Sequence, residues 1–269
     1  MLKHRLIPNI ILNNGNVVQS VNFKHTNVIG NAITVVDFFN SWAVDEILIL
    51  DVTRGNKYKN FLKIINGLSK RCFVPLTVGG WIKNLDEINA LLKNGADKVS
   101  INTEAVRNPK LISESASVFG SQCIVVSIDV KKNQDGNHEV CIDRGTEHTS
   151  LDPVKWAQQA ESLGAGEILL TSIDMDGSRL GYDLELIKKV ATGVTIPVVA
   201  FGGVGNWQHF VDGIKIGKAD AISAANIFHY TEHSTYKAKE YLNNSGIEVR
   251  MPQFYKLPTP RKPKYNEIY

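Results

Sequence analysis

The sequence predicts a single (β/α)₈ TIM barrel with a half-barrel pseudo-repeat, and three observations predict it. Eight short apolar, β-branched runs alternate with eight segments of helical period. Together they occupy about 250 residues, the length of one such barrel. The two halves also echo each other at an offset close to 120 residues. A doubly wound sheet is the runner-up, but it would carry a Gly-rich dinucleotide fingerprint after its first strand, and none is present.

The predicted strands, in order, are 6–12, 47–51, 74–78, 98–102, 123–129, 168–172, 197–201 and 221–225. The first lies in MLKHRLIPNIILNNG, whose apolar stretch lacks the small-residue cleavage site of a signal peptide and so reads as a strand. Helices are predicted near 31–42, 58–70, 84–94, 108–118, 152–163, 183–190, 206–217 and 234–243. Three of them open on side chains that can accept from exposed backbone N–H groups. These are Asn84, Asp152 (followed by Pro153 at the first helical position) and Asp183.

The pseudo-repeat pairs DEILIL (45–50) with GEILL (166–170), VGGWIKN (78–84) with FGGVGN (201–206), and ADKVSIN (96–102) with ADAISAA (219–225). It therefore pairs the first strand with the fifth. There the halves differ: the fifth ends in Asp129 and the first has Ile11.

Charge and composition exclude whole classes. The chain has 269 residues, 43 % of them hydrophobic, so it can bury a large core. Its net charge of +3 lies entirely in residues 251–269, where Lys256, Arg261, Lys262 and Lys264 face one Glu267. The neutral remainder argues against a nucleic-acid-binding face. No apolar run is long enough to span a bilayer. Cys72, Cys123 and Cys141, odd in number and widely spaced, suit reduced thiols in a cytoplasm. His229 and His233 have no placed partner, so no metal and no cofactor is expected. Domain organisation is read as a barrel over 1–250 and a basic, Pro-containing tail over 251–269. The tail is either a solubilising end or a docking strip built on Phe254, Tyr255, Tyr265 and Tyr269.

In such a barrel chemistry sits at the C-terminal strand ends. Those ends carry Asp51, Asn102, Thr103, Asp129, Asp174, Asp176, Gly177, Gly202, Gly203, Ala225 and Asn226. Gly202, Gly203, Ala225 and Asn226 on one side, and Gly79, Gly80, Asn102 and Thr103 on the other, would let backbone N–H groups approach two phosphates. The alternative is that these glycines only permit tight turns. At the opposite end Arg5, Glu46, Lys98 and Glu167 each begin a strand. Taken by themselves, two charges of each sign there read as a salt-bridged plug.

The segments KVSINT (98–103), FGSQ (119–122), GAGEILLTSID (164–174), Asp176–Gly177, Gly181–Asp183 and Gly202–Gly203 run collinear with one known family. Over residues 1–250 the chain resembles the cyclase subunit of imidazole glycerol phosphate synthase, a lyase of histidine synthesis. The resemblance implies a glutaminase partner docked at the N-terminal face, with Asp97 at that interface. It also implies an ammonia gate made of Arg5, Glu46, Lys98 and Glu167, and a phosphorylated ligand at the mouth. Cyclase chemistry would need carboxylates at positions 11 and 129 to act as acid and base. Asp129 matches and Ile11 does not. Gln19, Trp81, Phe201 and Asn226 also depart from the family pattern. A retained channel with an altered site resembles the subgroup associated with glycosyl amidation in surface-polysaccharide synthesis. That likeness implies ammonia delivery to a separate sugar amidotransferase. Two other readings stay open: an authentic cyclase in which Asp51 shares the load with Asp129, and a silent scaffold that only activates a glutaminase.

Overall fold

The computed structural model describes residues 3–41, 44–55, 58–229 and 234–251. In chain order the strands of the first half are β1 (Arg5–Asn13), β2 (Asn16–Val21), β3 (His25–Asn31), β4 (Ile47–Asp51), β5 (Leu76–Gly79) and β6 (Lys98–Ile101). Those of the second half are β7 (Ile124–Lys132), β8 (His138–Ile142), β9 (Glu147–His148), β10 (Glu167–Ser172), β11 (Val198–Phe201) and β12 (Ala221–Ala224). Eight of them, β1, β4, β5, β6, β7, β10, β11 and β12, pair in parallel, and β7–β10 pairing closes the ring. The expected barrel is the fold.

Alternation along each strand builds two apolar layers. On β1, Leu6, Ile10 and Leu12 face outward into the core shared with the helices, while Ile7 and Ile11 face the barrel axis. The outer ring comprises α1 (Ala32–Ser41), α2 (Tyr58–Ser69), α3 (Leu85–Lys93), α4 (Thr103–Arg107), α5 (Lys110–Phe119), α6 (Pro153–Ser162), α7 (Leu184–Ala191), α8 (Trp207–Lys215) and α9 (Ser234–Asn244). The expected caps form: Asn84 Oδ1 accepts from Glu87 N at 3.0 Å, Asp152 Oδ1 from Lys155 N at 2.9 Å, and Asp183 Oδ1 from Leu186 N at 3.0 Å.

Two hairpins were not expected. β1 runs past the barrel rim and turns back through Asn14 and Gly15 into β2, which pairs with β3. Both turn residues have positive φ, 52° and 82°, the geometry of a two-residue type I′ turn that glycine adopts without steric cost. β7 likewise extends into β8 and β9. The extensions follow the first and fifth barrel strands, so they obey the pseudo-repeat. The short α4 is also additional to the eight expected helices. At the barrel floor, residues after α9 return to pair Val249 with His4. The tail reading concerns residues that, apart from Met251, lie outside those described, as does His233. No described helix is long and apolar enough to cross a membrane.

Candidate functional site at the two ends of the barrel

Inward-facing residues follow one another from floor to mouth, and β1 supplies Arg5, Ile7, Asn9 and Ile11 in that order. At the floor Arg5 Nη1 donates to Glu46 Oε2 at 2.7 Å, and its other nitrogen donates to Glu167. Lys98 Nζ completes the circle, 2.9 Å from both Glu46 Oε2 and Glu167 Oε2. Thr77 Oγ1 adds a bond to Glu46 Oε1 at 2.6 Å. Both glutamates are buried. Burial would raise the Glu167 pKa, but Arg5 and Lys98 outweigh it and hold the carboxyl below its ordinary value. The four residues thus form one neutral, closed ring across the axis.

Asp97, beside this ring, is exposed, and its Oδ2 caps the start of β5 by accepting from Leu76 N at 2.8 Å. Asp220 does the same for Val198 N at 2.9 Å, as the pseudo-repeat requires. Phe73, just before β5, is 84 % exposed on the same floor.

Above the ring the axis is lined by Ile7, Leu48, Val125, Leu169, Val199 and Ala221. Three polar side chains break this lining. Both amide atoms of Asn9 and the hydroxyls of Ser100 and Ser223 are buried with no hydrogen-bond partner among the described residues. Buried polar atoms are ordinarily paired, so four at one axis, on three side chains, describe an interior suited to a small polar guest. Sequence reasoning missed them. The signal was present in the period-two spacing of Arg5 and Asn9 on an otherwise apolar strand.

At the mouth a cavity of about 470 Å³ opens off-centre. Ile11, Asp51, Gly79, Gly80, Trp81, Asn102, Thr103, Asp129 and Phe201 contribute to its wall, together with the unpartnered Ser100. Arg54, Lys83, Arg107 and Arg144 also border it, cations that were not singled out from the sequence. Asp129 is buried, and Asn102 Nδ2 donates to its Oδ2 at 3.0 Å. Burial pushes the Asp129 carboxyl up to about 7, opposed by hydrogen bonds from Thr171 and Asn102 and assisted by the nearby Asp176. Ile11 faces the same cavity with no proton to exchange. Asp51 is held by Thr53, whose backbone N donates to its Oδ1 at 2.9 Å, and by Trp81 Nε1, which donates to its Oδ2 at 3.0 Å. Trp81 makes this contact from a left-handed backbone, φ 65°. Asp174 Oδ2 accepts from Lys132 N at 2.8 Å. Thr103 Oγ1 accepts from Asp143 N at 3.0 Å, fixing the β8–β9 hairpin as a side wall.

The other half of the mouth is arranged differently. None of Asp176, Gly177, Gly202, Gly203, Ala225 and Asn226 borders this cavity. Gly203 is committed to packing: a Cβ there would lie 2.0 Å from the carbonyl oxygen of Gly181, and φ is +98°. Gly203→Ala should therefore cost roughly 2–3 kcal/mol, a Tm drop of about 5–10 °C in thermal unfolding. A glycine without that clash would show only the smaller cost of placing alanine in left-handed backbone, about 1 kcal/mol.

Among the described residues no group of three or more His, Cys, Asp or Glu is placed to hold a metal. The model of the family described as histidine biosynthesis protein matches residues 5–234, from the first floor arginine to the start of the last helix. The chain belongs to that family. Within it, the closed floor ring and Asp129 coexist with Ile11, Trp81 and Phe201 around the mouth.

Proposed function

We propose that this family member is an ammonia-conducting subunit of a glutamine amidotransferase complex, with a glutaminase docked on its floor. Its further role would be amidination of a sugar in surface-polysaccharide synthesis, in concert with a sugar amidotransferase. The observation that carries the reading is the contrast between the two ends. A closed charged ring and a lined axis stand below a mouth whose acid–base pair is broken at Ile11. The floor offers a docking face in Phe73 and Asp97 around the ring. Arg5, Glu46, Lys98 and Glu167 would part to admit ammonia. The apolar axis would disfavour ammonium, since a bare charge is costly there. Asn9, Ser100 and Ser223 would offer hydrogen bonds to neutral ammonia on its way. Asp129, titrating near neutrality, would orient ammonia or a phosphorylated ligand at the exit.

Asp51 supports the second reading, a working cyclase of histidine synthesis, because it brings another carboxylate to the cavity. Both its oxygens already accept hydrogen bonds, which weakens it as a proton carrier.

The two readings separate in one experiment. The gene should fail to rescue a cyclase-deficient histidine auxotroph, and the purified barrel should raise glutamine turnover by a class I glutaminase subunit co-purified with it. Rescue of growth would overturn the leading reading, and an unstimulated glutaminase would overturn docking. Deleting residues 252–269 and repeating the assembly measurement tests the tail as a docking strip.

A further inference from the structure

Three aspartates at the barrel floor share one task, and one of them has an extra partner. Each stands just before a barrel strand and accepts from a backbone N near the start of the preceding one. Asp97 does so for Leu76 and Asp220 for Val198, and both aspartates are exposed. Asp45 Oδ2 accepts from Leu6 N at 2.9 Å in the same way. Its Oδ1, in addition, accepts from Lys239 Nζ of α9 at 2.6 Å, and that lysine side chain is only 1 % exposed. Among the described residues Asp97 and Asp220 cap their strands without a cation, so capping does not explain the lysine.

Stability does not explain it either, because taking two charges out of water offsets most of their attraction. Burial accordingly pulls the Lys239 pKa below its ordinary value, against the opposing effect of Asp45. The neighbours of the pair are more informative. Asp45 directly precedes Glu46 of the floor ring, and Leu6, which it holds, directly follows Arg5 of the same ring. The Leu6 carbonyl also accepts from Asp45 N at 3.5 Å. On the other flank of Arg5, His4 N donates to the Glu248 carbonyl at 2.9 Å, and His4 pairs with Val249. Thus α9 and the residues after it grip both flanks of one ring cation and the residue behind one ring carboxylate. The pseudo-repeat supplies the contrast. Gly166 takes the place of Asp45 ahead of Glu167, and a Cβ there would collide with the Ser121 carbonyl. Glu167 is therefore set by close backbone packing, whereas Arg5 and Glu46 are set by a charged contact to a helix.

We infer that Lys239 is a positioning residue for the floor ring, holding Arg5 and Glu46 in the closed arrangement through Asp45. The ring then parts only when α9 shifts against the barrel. That the parted ring admits ammonia rests on the proposed function; the positioning of the ring does not.

Lys98 reports the state of the ring, because 20 % of its side chain is exposed while its amine lies against two carboxylates. Acetylation of the full chain by N-hydroxysuccinimidyl acetate, read by peptide mass spectrometry, measures how often that amine is freed. The test variant is Asp45→Asn/Lys239→Met, which removes both charges, keeps an oxygen for Leu6 N and leaves no bare charge behind. Lys98 should react about tenfold faster in it than in the wild type, the factor that one hydrogen bond to a charged group is worth in an equilibrium. Lys189, on the surface of α7, should react at an unchanged rate. Gly203→Ala separates positioning from lost stability, because its clash lies at the mouth, and it should leave Lys98 within about twofold of the wild type. Unchanged Lys98 labelling in the double variant overturns the inference. If amide exchange over residues 234–244 rises at the same time, the pair only anchors α9. An equal rise of Lys98 labelling in Gly203→Ala overturns it as well. Should the double variant fail to fold, Lys239→Gln is read by the same labelling, and an unchanged Lys98 is again the overturning result. The labelling needs neither glutaminase nor ammonia. Coupling that is indifferent to the ring would remove the gate, while the positioning still stands or falls by Lys98.

Discussion

Replacing Glu167 by Gln is expected to destabilise the barrel by about 3–5 kcal/mol and to uncouple glutamine hydrolysis from ammonia delivery. Glu167 accepts from both Arg5 and Lys98 at the floor and is itself buried. Removing its charge leaves two cations sharing Glu46 alone, in a place where water reaches them poorly. The loss should appear as a fall in Tm of roughly 10 °C or more. The same interaction sets an acid limit. Because the Glu167 pKa is depressed in the folded state, its contribution is complete above the ordinary glutamate value and fades as pH falls through the lower folded value. A plug and a gate then differ in a second variant. Substituting all four ring residues with apolar side chains of similar volume should recover much of the stability, since the desolvation cost vanishes along with the pairing. A ring that only plugs the floor predicts that coupling is indifferent to this change. A ring that gates ammonia predicts that coupling is lost although the protein folds. Coupling is measured as product nitrogen per glutamine hydrolysed in the assembled complex.

Much of this molecule was legible in its residues, and the failures have physical causes. The eight barrel strands were visible because burial on both faces forces near-continuous Val, Ile and Leu runs. The caps at Asn84, Asp152 and Asp183 were visible because each stands where a helix leaves backbone N–H groups unpaired. The hairpin after β1 was overlooked although Asn14–Gly15 is a strong type I′ turn signal. Its strands, with Asn16, Gln19, Ser20 and Asn27, are polar enough to pass for a loop. The open and closed halves of the mouth could not be read at all. Gly79–Gly80 and Gly202–Gly203 are the same dipeptide in the same register of the repeat, and only tertiary packing distinguishes them. Gly203 lies against Gly181, while Gly79 and Gly80 border a cavity. Asp176 illustrates the same limit. A carboxylate at a strand end looked like a ligand, yet it spends its oxygen on Ser20 and Phe23.

Asp129→Asn is expected to make the protein more stable at pH 8 while removing whatever chemistry the mouth performs. Asp129 is buried beside Ile11 and Phe201, and its carboxyl titrates at about 7 in the folded chain against an ordinary value of 3.8. The sign follows from proton linkage: a carboxyl whose folded pKa is raised binds its proton more tightly when folded. Stability is therefore fullest below the unfolded value and is lost as pH rises towards the folded one. Between those values the unfolded chain gains by ionising and the folded chain does not. Above pH 7 the accumulated loss levels off, on the order of 4 kcal/mol. Asparagine never ionises and can still accept the Asn102 amide through its side-chain oxygen. The variant should then exceed the wild type by roughly 5–15 °C in Tm at pH 8, with the gap narrowing steadily towards pH 4. A variant no more stable than the wild type at pH 8 would mean that water or a ligand already solvates this carboxyl. If the gap appears, a carboxyl has been kept at an energetic cost where Asn would fold better. Such a cost at the end of a largely apolar axis is a mark of use, because stability alone gives no reason to keep it.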